Sequence, residues 1–516
     1  MIKFFFSQNP IDNYVHQNYY FSVVGDSVDG IKKPRDLDFH PIISDQLWVL
    51  NQGEIAYTNN SQNEFHVCVP QNINISFTIF DSNGNGICCE NGDGNYELSL
   101  CNVVFASGAS FGNYETTSFN SGISCNGSCD EGYVEIKITV NTDDRGKETS
   151  WTLFDSETSE VYASRLEPGG SNVIFHSVGT TDQTSEYRKD SYSRHFMHTA
   201  SSISFDNNGF FANTLECQDA NDNPNGYFSG PTLWDSDLNI YAVMNQESGG
   251  LLGSHLDMIH QSPFSMGIEY AGMGNKYWVF DGYHSSIVLY DFALPHEIGG
   301  HDHSDGKVWR YDELPIQRVV GVPSHLVLDS ESGMLYIADT GNQRILKFNT
   351  NSGNYAYDLN PYGESLEEYW MMENADWEVF IDQDLYKPSG IELFENRLIV
   401  SDHQNGDIII YDIEQNPPQE LSRIETGIEN DIMGIKLDSN QILWYVAFSS
   451  NQLVRIDYDG LLGDVNNDGD INIIDVVSLV NYILESSSID SETSDINNDG
   501  VINIVDVVQL VSLILE

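Results

Sequence analysis

A chain of 516 residues with 22 Lys+Arg against 78 Asp+Glu, a formal charge of −56, is long enough for several domains and a large core. A surface that acidic repels phosphate backbones and anionic membranes, which argues against nucleic acid as a partner; it suits calcium-rich or saline water, where divalent ions screen self-repulsion. Aromatic content of 12% with 42 glycines indicates a β-rich folded protein rather than a disordered acidic tail, and no stretch approaches the ~20 apolar residues of a membrane span.

The start, Met1-Ile-Lys-Phe-Phe-Phe6 followed by Ser7-Gln-Asn-Pro10, is too short for a signal peptide, so no export signal is evident. Tyr20-Phe-Ser-Val-Val-Gly25 is a strand without a partner nearby. Then a unit begins that recurs along the chain: an alternating strand, a turn, a second strand ending in Asp or Asn, a short turn and a third strand. Its first copy is Pro34-Arg-Asp-Leu-Asp-Phe39 leading to Leu47-Trp-Val-Leu-Asn51.

That copy is interrupted by residues 62–168, of different composition. Six of the seven cysteines fall between Cys68 and Cys129, which implies a local disulfide framework and an oxidising compartment; Cys217, the odd one, reads as a buried thiol. Two related segments, Ser76-Phe-Thr-Ile-Phe-Asp81 and Ser150-Trp-Thr-Leu-Phe-Asp155, with alternation in Asn95–Leu100 and Tyr133–Val140, predict a small disulfide-stapled β-sandwich. It resembles the secreted sandwich modules that carry Asp-Ser-x-Gly-x-Gly-Ile-Cys-Cys motifs. Asp81, Asn83, Asn85 and Asp93 offer either one more calcium site or a Gly/Asn turn.

The unit resumes in Ser202-Ile-Ser-Phe205 with Phe210-Phe-Ala-Asn213, and in Met266-Gly-Ile-Glu-Tyr270 with Tyr277-Trp-Val-Phe-Asp281 and Ile287-Val-Leu-Tyr290. Its clearest copy runs from Val322-Pro-Ser-His325 through Leu335-Tyr-Ile-Ala-Asp339-Thr-Gly-Asn-Gln-Arg-Ile-Leu346 to Phe348. Lys387-Pro-Ser-Gly-Ile-Glu-Leu393 with Leu398-Ile-Val-Ser-Asp402, and Met433-Gly-Ile-Lys-Leu437 with Leu443-Trp-Tyr-Val-Ala447, complete six copies. Strand triplets repeated at this period predict a β-propeller, one blade per copy. The pattern resembles NHL repeats, most specifically in Leu335–Leu346. Tyr20–Gly25 is then expected as the outermost strand of the last blade. The shared Asn51, Asn213, Asp281, Asp339 and Asp402 read as turn caps.

Many of the fourteen histidines fall in the middle copies. His198, His260 and His325 each precede an expected inner strand, and inner strands of a propeller line its channel. Three imidazoles suit zinc or copper, so these three are candidate transition-metal ligands. The peptidyl-hydroxyglycine amidating lyase, a propeller that this pattern resembles, holds zinc with three channel histidines in Pro-His-Ser-like openings. Here Val322-Pro-Ser-His325 is displaced by one residue, and Pro388-Ser-Gly390 and Ser265-Met-Gly267 replace it elsewhere. His296, His301 and His303, with Asp302 and Asp305, read as a solvated loop. No Gly-x-Ser-x-Gly elbow, Walker loop or His-Glu-x-x-His is present.

The last fifty-odd residues carry a duplicated motif. Oxygen ligands at positions 1, 3, 5 and 9, a carbonyl at 7, a carboxylate at 12 and Gly at 6 suit calcium. In the first loop these are Asp464, Asn466, Asp468, Asp470 (carbonyl), Asn472 and Asp475; in the second, Asp495, Asn497, Asp499, Val501 (carbonyl), Asn503 and Asp506. The two sets stand 31 residues apart, 464 to 495 and 475 to 506. Each runs into an apolar helix, Val476–Leu484 and Val507–Leu515, and the two helices are expected to pack on each other. With Asp at position 12 and no helix leading into either loop, the pair resembles a type I dockerin, which docks on cohesin domains of a scaffold or cell-surface protein. In that family the residues before the last Asp often set partner choice: here Ile473/Ile474 and Ile504/Val505, an apolar pair rather than the hydroxyl pair of cellulosomal members.

The expected fold is mainly β: a six-bladed propeller with an inserted sandwich and a small helical calcium-binding C-terminal domain. The expected divisions are residues 1–61 (closing strand and first blade), 62–168 (sandwich), 169–459 (remaining blades) and 460–516 (dockerin-like). Two functional readings follow. In one, a secreted protein uses its propeller as a platform for a polysaccharide or peptide ligand and its tail as a tether to a cohesin-like or cell-surface partner. In the other it is a metal-dependent extracellular lyase or hydrolase with a His-lined channel.

Overall fold

The computed structural model describes residues 9–16, 18–54, 60–81, 84–89, 91–100, 103–122, 129, 132–158, 161–165, 169–223, 225–246, 250–458, 463–466, 471–485, 491–497 and 500–515. The protein is mainly β, built of small antiparallel sheets with helices at the C-terminal end. It divides into two compact units, one of Met1–Gln52, Ser171–Ser191 and Ala200–Glu516, the other of Gly53–Gly170 and Tyr192–Thr199.

In the larger unit each repeat forms a sheet of antiparallel strands. The first sheet is Pro34–Phe39, Leu47–Glu54, Gly169–His176 and Thr184–Arg188; the second is Ala200–Phe205, Phe210–Leu215, Thr232–Asp235 and His255–Met258. The third begins Ser265–Tyr270, Lys276–Asp281, Ser286–Asp291, Lys307–Tyr311, and the fourth is Leu326–Asp329, Met334–Asp339, Arg344–Asn349 and Trp377–Ile381. The fifth is Pro388–Phe394, Arg397–Asp402, Asp407–Asp412 and Gln419–Glu425; the sixth is Ile432–Leu437, Leu443–Ala447, Gln452–Tyr458 and, from the other end of the unit, Tyr19–Gly25. The expected closing strand thus forms, antiparallel to Gln452–Tyr458 with Tyr19 opposite Tyr458 and Val23 opposite Val454.

The repeat pattern missed two features. Each of the first five sheets has a fourth, outer strand beyond the triplet. The third sheet is also widened by a hairpin, Asn354–Asp358 and Glu368–Glu373, which leaves the fourth sheet and adds in parallel beside Lys307–Tyr311.

The first strands of the six sheets lie side by side in sequence order, and the sixth, Ile432–Leu437, lies again beside Pro34–Phe39. Alternate side chains of these strands reach across to the next strand's polar groups. The Asp36 carboxylate accepts hydrogen bonds from the Ser202 hydroxyl at 2.7 Å and the Ile203 N–H at 2.8 Å, and Asp38 accepts from the Phe205 N–H at 2.8 Å. Ser204 accepts from the Tyr270 N–H at 3.0 Å, and Glu269 from the Leu328 N–H at 3.3 Å. The His325 N–H donates to the Ser389 carbonyl at 3.0 Å, the Ser401 hydroxyl to the Met433 carbonyl at 2.9 Å, and Lys436 pairs with Asp38 at 3.4 Å, completing the circuit. Gly267 and Gly434 permit this closeness: a Cβ at Gly267 would stand 2.0 Å from the Ser324 carbonyl oxygen, and one at Gly434 2.5 Å from Asp36 Oδ1.

Cores fill the space between neighbouring sheets. Leu37, Leu47, Val49 and Phe175 meet Met433, Trp444, Val446 and Leu453 between the first and sixth, and Trp278, Phe280 and Ile287 meet Leu335, Ile337 and Leu346 between the third and fourth. Tyr14, from the short helical segment Asn13–His16, is buried between the fifth and sixth; its hydroxyl donates to the Ile456 carbonyl at 2.8 Å and accepts from the Leu443 N–H at 2.9 Å.

The residues read as turn caps bind backbone or side chains of the turns and connections next to their strands. Asp402 accepts from the N–H groups of Tyr386, Lys387 and Gln404, and Asp339 from Gln317, Asn342 and Arg344. Asp281 is fully buried against Arg310, also bonded to by His284; burial alone would raise its pKa, but Arg310 and His284 outweigh it and hold the carboxyl at about 2.

In the smaller unit, strands Gln62–Pro70, Tyr133–Asn141, Asn95–Leu100 and Val103–Gly108 form one antiparallel sheet, and Val161–Arg165, Thr149–Asp155, Asn74–Asp81 and Tyr114–Asn120 another. Both contribute to one core of Ile75, Phe77, Ile79, Leu98, Ile136, Ile138, Trp151 and Leu153. Disulfides join Cys68 to Cys129 and Cys88 to Cys89; Cys101 and Cys125 lie outside the described residues. Cys217, in the larger unit, is a buried free thiol. Asp81 caps a turn, accepting from the N–H groups of Gly84 and Asn85, while Asn83 lies outside the described residues.

The Asp281–Arg310 pair tests how the sheets hold together. Its folded carboxyl pKa lies below the ordinary aspartate value of about 3.9, so it adds stability above that value and loses it as the pH falls towards about 2. Arg310→Met should cost about 3–5 kcal/mol by leaving Asp281 buried without its counter-charge, and adding Asp281→Asn should recover part of the loss, both read from denaturant midpoints.

Candidate functional site

The tail is built from the duplicated motif. Helices Ile473–Glu485 and Ile504–Leu515 pack together around Leu479, Leu510, Val465 and Val507, with Val476, Ile483, Ile502 and Ile514 beside them. Each helix is capped by the Asn before it: the Asn472 side chain accepts from the Ile474 N–H and that of Asn503 from the Val505 N–H, both at 2.8 Å.

Asp475 and Asp506 are buried and organise the loops in the same way. Asp475 accepts from the N–H groups of Val465 at 2.8 Å, Asn466 at 3.2 Å and Asn472 at 2.8 Å; Asp506 accepts from Asn497 at 3.3 Å and Asn503 at 2.8 Å. Asp464 is buried as well. Gly500, at loop position 6, has φ +81° and donates its N–H to Asp495 at 2.7 Å. Asp468, Asp470 and Asp499 lie outside the described residues. Three buried carboxylates, Asp464, Asp475 and Asp506, beside more open carboxylate and amide oxygens, with no nitrogen or sulfur donor in the motif, fit a hard cation: Asp464, Asn466 and Asp475 would hold it in the first loop, Asp495, Asn497 and Asp506 in the second.

The four residues expected to contact a partner are exposed: Ile473 62%, Ile474 41%, Ile504 62% and Val505 47%. The structure adds Val477, Leu484, Val508 and Leu515 to them. Each of the eight has its counterpart in the other helix, so two equivalent apolar faces are presented to solvent.

A second polar constellation lies where the inner strands converge. Lys436 Nζ is 3.4 Å from both Asp38 and Glu392, with Glu269 among the same charges. Burial works against the Lys436 charge, but Asp38, Glu392 and Glu269 outweigh it and raise its pKa. Burial also raises the Asp38 carboxyl, against the pull of Lys436, and pushes Glu269 up to about 8. These residues were legible in one column of the repeats, Arg35-Asp-Leu-Asp38, Met266-Gly-Ile-Glu269, Ser389-Gly-Ile-Glu392 and Met433-Gly-Ile-Lys436, but reading them together requires the strands to be set side by side.

His325 stands in the neighbouring column, buried, with Nε2 3.6 Å from Asp36. His260 lies ahead of its inner strand; it is stacked on Phe228 with centroids 3.5 Å apart, and its Nδ1 bonds Glu364 at 2.9 Å. Glu364 belongs to the inserted hairpin, which the repeat pattern did not reveal. Burial lowers the pKa of both imidazoles. His260 and His325 belong to no common ligand group among the described residues, because they stand at different points of the repeat. His198, bonded through Nδ1 to the Thr199 hydroxyl at 3.0 Å, lies in the other unit. Among the described residues these three histidines do not stand together in any group of metal-capable side chains.

Residues 462–515 match the family model of the dockerin type I domain, and that part of the chain is such a domain; its family binds calcium and docks on cohesins. No curated protein matches the chain. Among solved structures it is similar to one in a nidogen/laminin complex, at 12% identity and TM-score 0.35 over 56% of this chain and 86% of that one. Another is an auxiliary nutrient binding protein from Bacteroides ovatus ATCC 8483, at 8% identity and TM-score 0.33 over 81% and 95%. A third is the periplasmic gluconolactonase of Pseudomonas aeruginosa, at 10% identity and TM-score 0.32 over 55% and 87%.

Glu269 gives the central cluster a signature. An unfolded glutamate releases its proton near pH 4.3, the folded one at about 8. The folded chain holds the extra proton across that window, so stability falls as the pH rises through it. Glu269→Gln should flatten this share of the decline and raise the melting temperature at the alkaline end, measured by calorimetry at constant calcium.

Proposed function

We propose that this is an extracellular, calcium-dependent docking protein: its dockerin type I domain tethers it to a cohesin-type partner on a scaffold or cell surface, and its larger unit is a ligand-binding platform. The observation that carries this reading is the duplicated apolar face, Ile473, Ile474, Val477 and Leu484 on one helix and Ile504, Val505, Val508 and Leu515 on the other, exposed beside two loops of oxygen donors. Calcium in both loops folds the tail and fixes the helices that carry these side chains. Apolar side chains that stay exposed in a folded module are the material of an interface core.

The platform is a six-bladed, NHL-like propeller, divided by an inserted disulfide-bearing sandwich. Six repeats, six sheets and a closed cycle of inner strands support that architecture. A cleft of about 610 Å³ between the first and sixth sheets, lined by His40, Asp45, Asp438, Arg455 and Asp457 among others, offers charged groups of the kind that hold a polysaccharide or a peptide. Disulfides and the dockerin domain support an extracellular setting, and among the described residues no helix is long and apolar enough to cross a membrane.

Capture of the full chain on immobilised cohesin modules tests the docking. Binding should require calcium and vanish with chelator, and Ile473→Asp with Ile504→Asp should weaken it by about 30-fold or more, the effect of losing one interface hot spot of ~2 kcal/mol. Failure of every cohesin to capture the chain, or capture indifferent to calcium, would overturn the reading. Asp464→Ala with Asp495→Ala should abolish the calcium-dependent melting of the tail and leave the transition of the six sheets in place; a single shared transition would contradict that division.

A further inference from the structure

The loop of histidines that reads as solvated in the sequence does not lie free. It joins Ser286–Asp291 to Lys307–Tyr311 in the third sheet and folds back on the outer strand of the second, His255–Met258. The His296 N–H donates to the Leu256 carbonyl at 3.1 Å, and the Gly299 N–H to the His255 carbonyl at 2.8 Å. This anchorage brings His296 and His303 to Asp257. One ligand-capable atom of each lies within 4.8 Å of the others, and among the described residues they are the one group of three or more that does so.

The hydrogen bonds leave two acceptors unused. Asp257 is fully buried; its Oδ1 accepts from the Met258 N–H at 2.7 Å and bonds His303 Nδ1 at 2.7 Å, while its Oδ2 is buried without a hydrogen-bond partner. His296 Nδ1 lies 2.6 Å from the Glu297 carbonyl, so it donates there and leaves the lone pair on Nε2, which is also buried without a partner. Burying acceptors unsatisfied is unfavourable, and a cation coordinated by them removes that cost. Neighbouring imidazoles complete the surroundings: the His255 ring is 4.9 Å from that of His296, and the His260 ring, held by Glu364, is 6.0 Å from that of His303.

We propose that Asp257, His296 and His303 bind a divalent first-row transition metal, zinc before the others, which clips the 292–306 connection to the outer edge of the second sheet. Two imidazoles and a carboxylate suit zinc, whereas calcium and magnesium take oxygen donors, so this site and the tail loops select different ions. Three protein donors, with His296 and His303 only partly buried, leave a coordination position for water or a ligand.

Full-length protein stripped with chelator, returned to excess calcium chloride and titrated with zinc chloride tests the site. The expected result is one zinc equivalent retained beside calcium, with cobalt chloride in its place giving the visible ligand-field bands of a low-coordinate ion. His296→Ala, at a partly exposed position, and the isosteric Asp257→Asn should each lose that equivalent while keeping the calorimetric transition in calcium. His301→Ala, in the same loop but outside the group, should keep it. No zinc retained under calcium, retention undiminished in His296→Ala, or loss in His301→Ala with folding intact would each overturn the assignment. A tail variant lacking Asp464 and Asp495 should still hold the zinc, which separates this site from the docking reading.

Discussion

The larger unit depends on how closely its six inner strands approach one another. Backbone at that distance must pair its polar groups across the gap, and the chain does so with short side chains that reach the next strand: Asp36 and Asp38 to the second sheet, Ser204 to the third, Glu269 to the fourth. Glycine stands where even a methyl group would collide, as at Gly267 against the Ser324 carbonyl. Polar residues at the centre and apolar residues between the sheet faces are therefore one design. The cores supply the bulk of the stabilisation, and the central bonds set the order of the sheets.

Charge follows from the same geometry. Three inner strands direct Asp38, Glu269 and Glu392 to one place, and a single lysine, Lys436, stands among them. Burial first, and then the neighbouring carboxylates Glu392 and Asp38, outweigh the pull of the one ammonium group and push the Glu269 carboxyl up to about 8. The Asp281–Arg310 pair solves the opposite case, one carboxylate matched by one guanidinium, and its pKa falls instead.

The tail organises itself by another route. Among the described residues its core is small, four buried apolar side chains with a ring of partly buried ones, a core of the size that ion binding commonly supplements. The position-12 carboxylates, Asp475 and Asp506, gather loop amides from both sides of the turn and so shape the oxygen cage. The apolar residues left outside this core repeat in both helices and lie exposed, the surface proposed for a cohesin.

Much of this was legible in the sequence where the signal is local. Calcium ligands at fixed spacing, alternation in the strands, the six copies of the repeat and the odd cysteine all depend on residues near one another in the chain, whose geometry a turn or a strand dictates. The pairing of Tyr19–Gly25 with Gln452–Tyr458 was legible too, because an expected closed cycle of repeats leaves one strand to be supplied from its other end. What the sequence could not disclose is which distant loops meet. The three histidines each stand ahead of an inner strand in the repeat, yet only His325 faces the inner-strand residue Asp36, because a shift of a few residues along a strand turn moves a side chain to another part of the sheet. The hairpin Asn354–Glu373 crosses to a neighbouring sheet and places Glu364 on His260, and the connection holding His296 and His303 folds onto Asp257. Sequence determined the elements and the oxygen-rich loops; only the tertiary structure decided which loops converge, since that depends on the packing of whole sheets rather than on any stretch of chain.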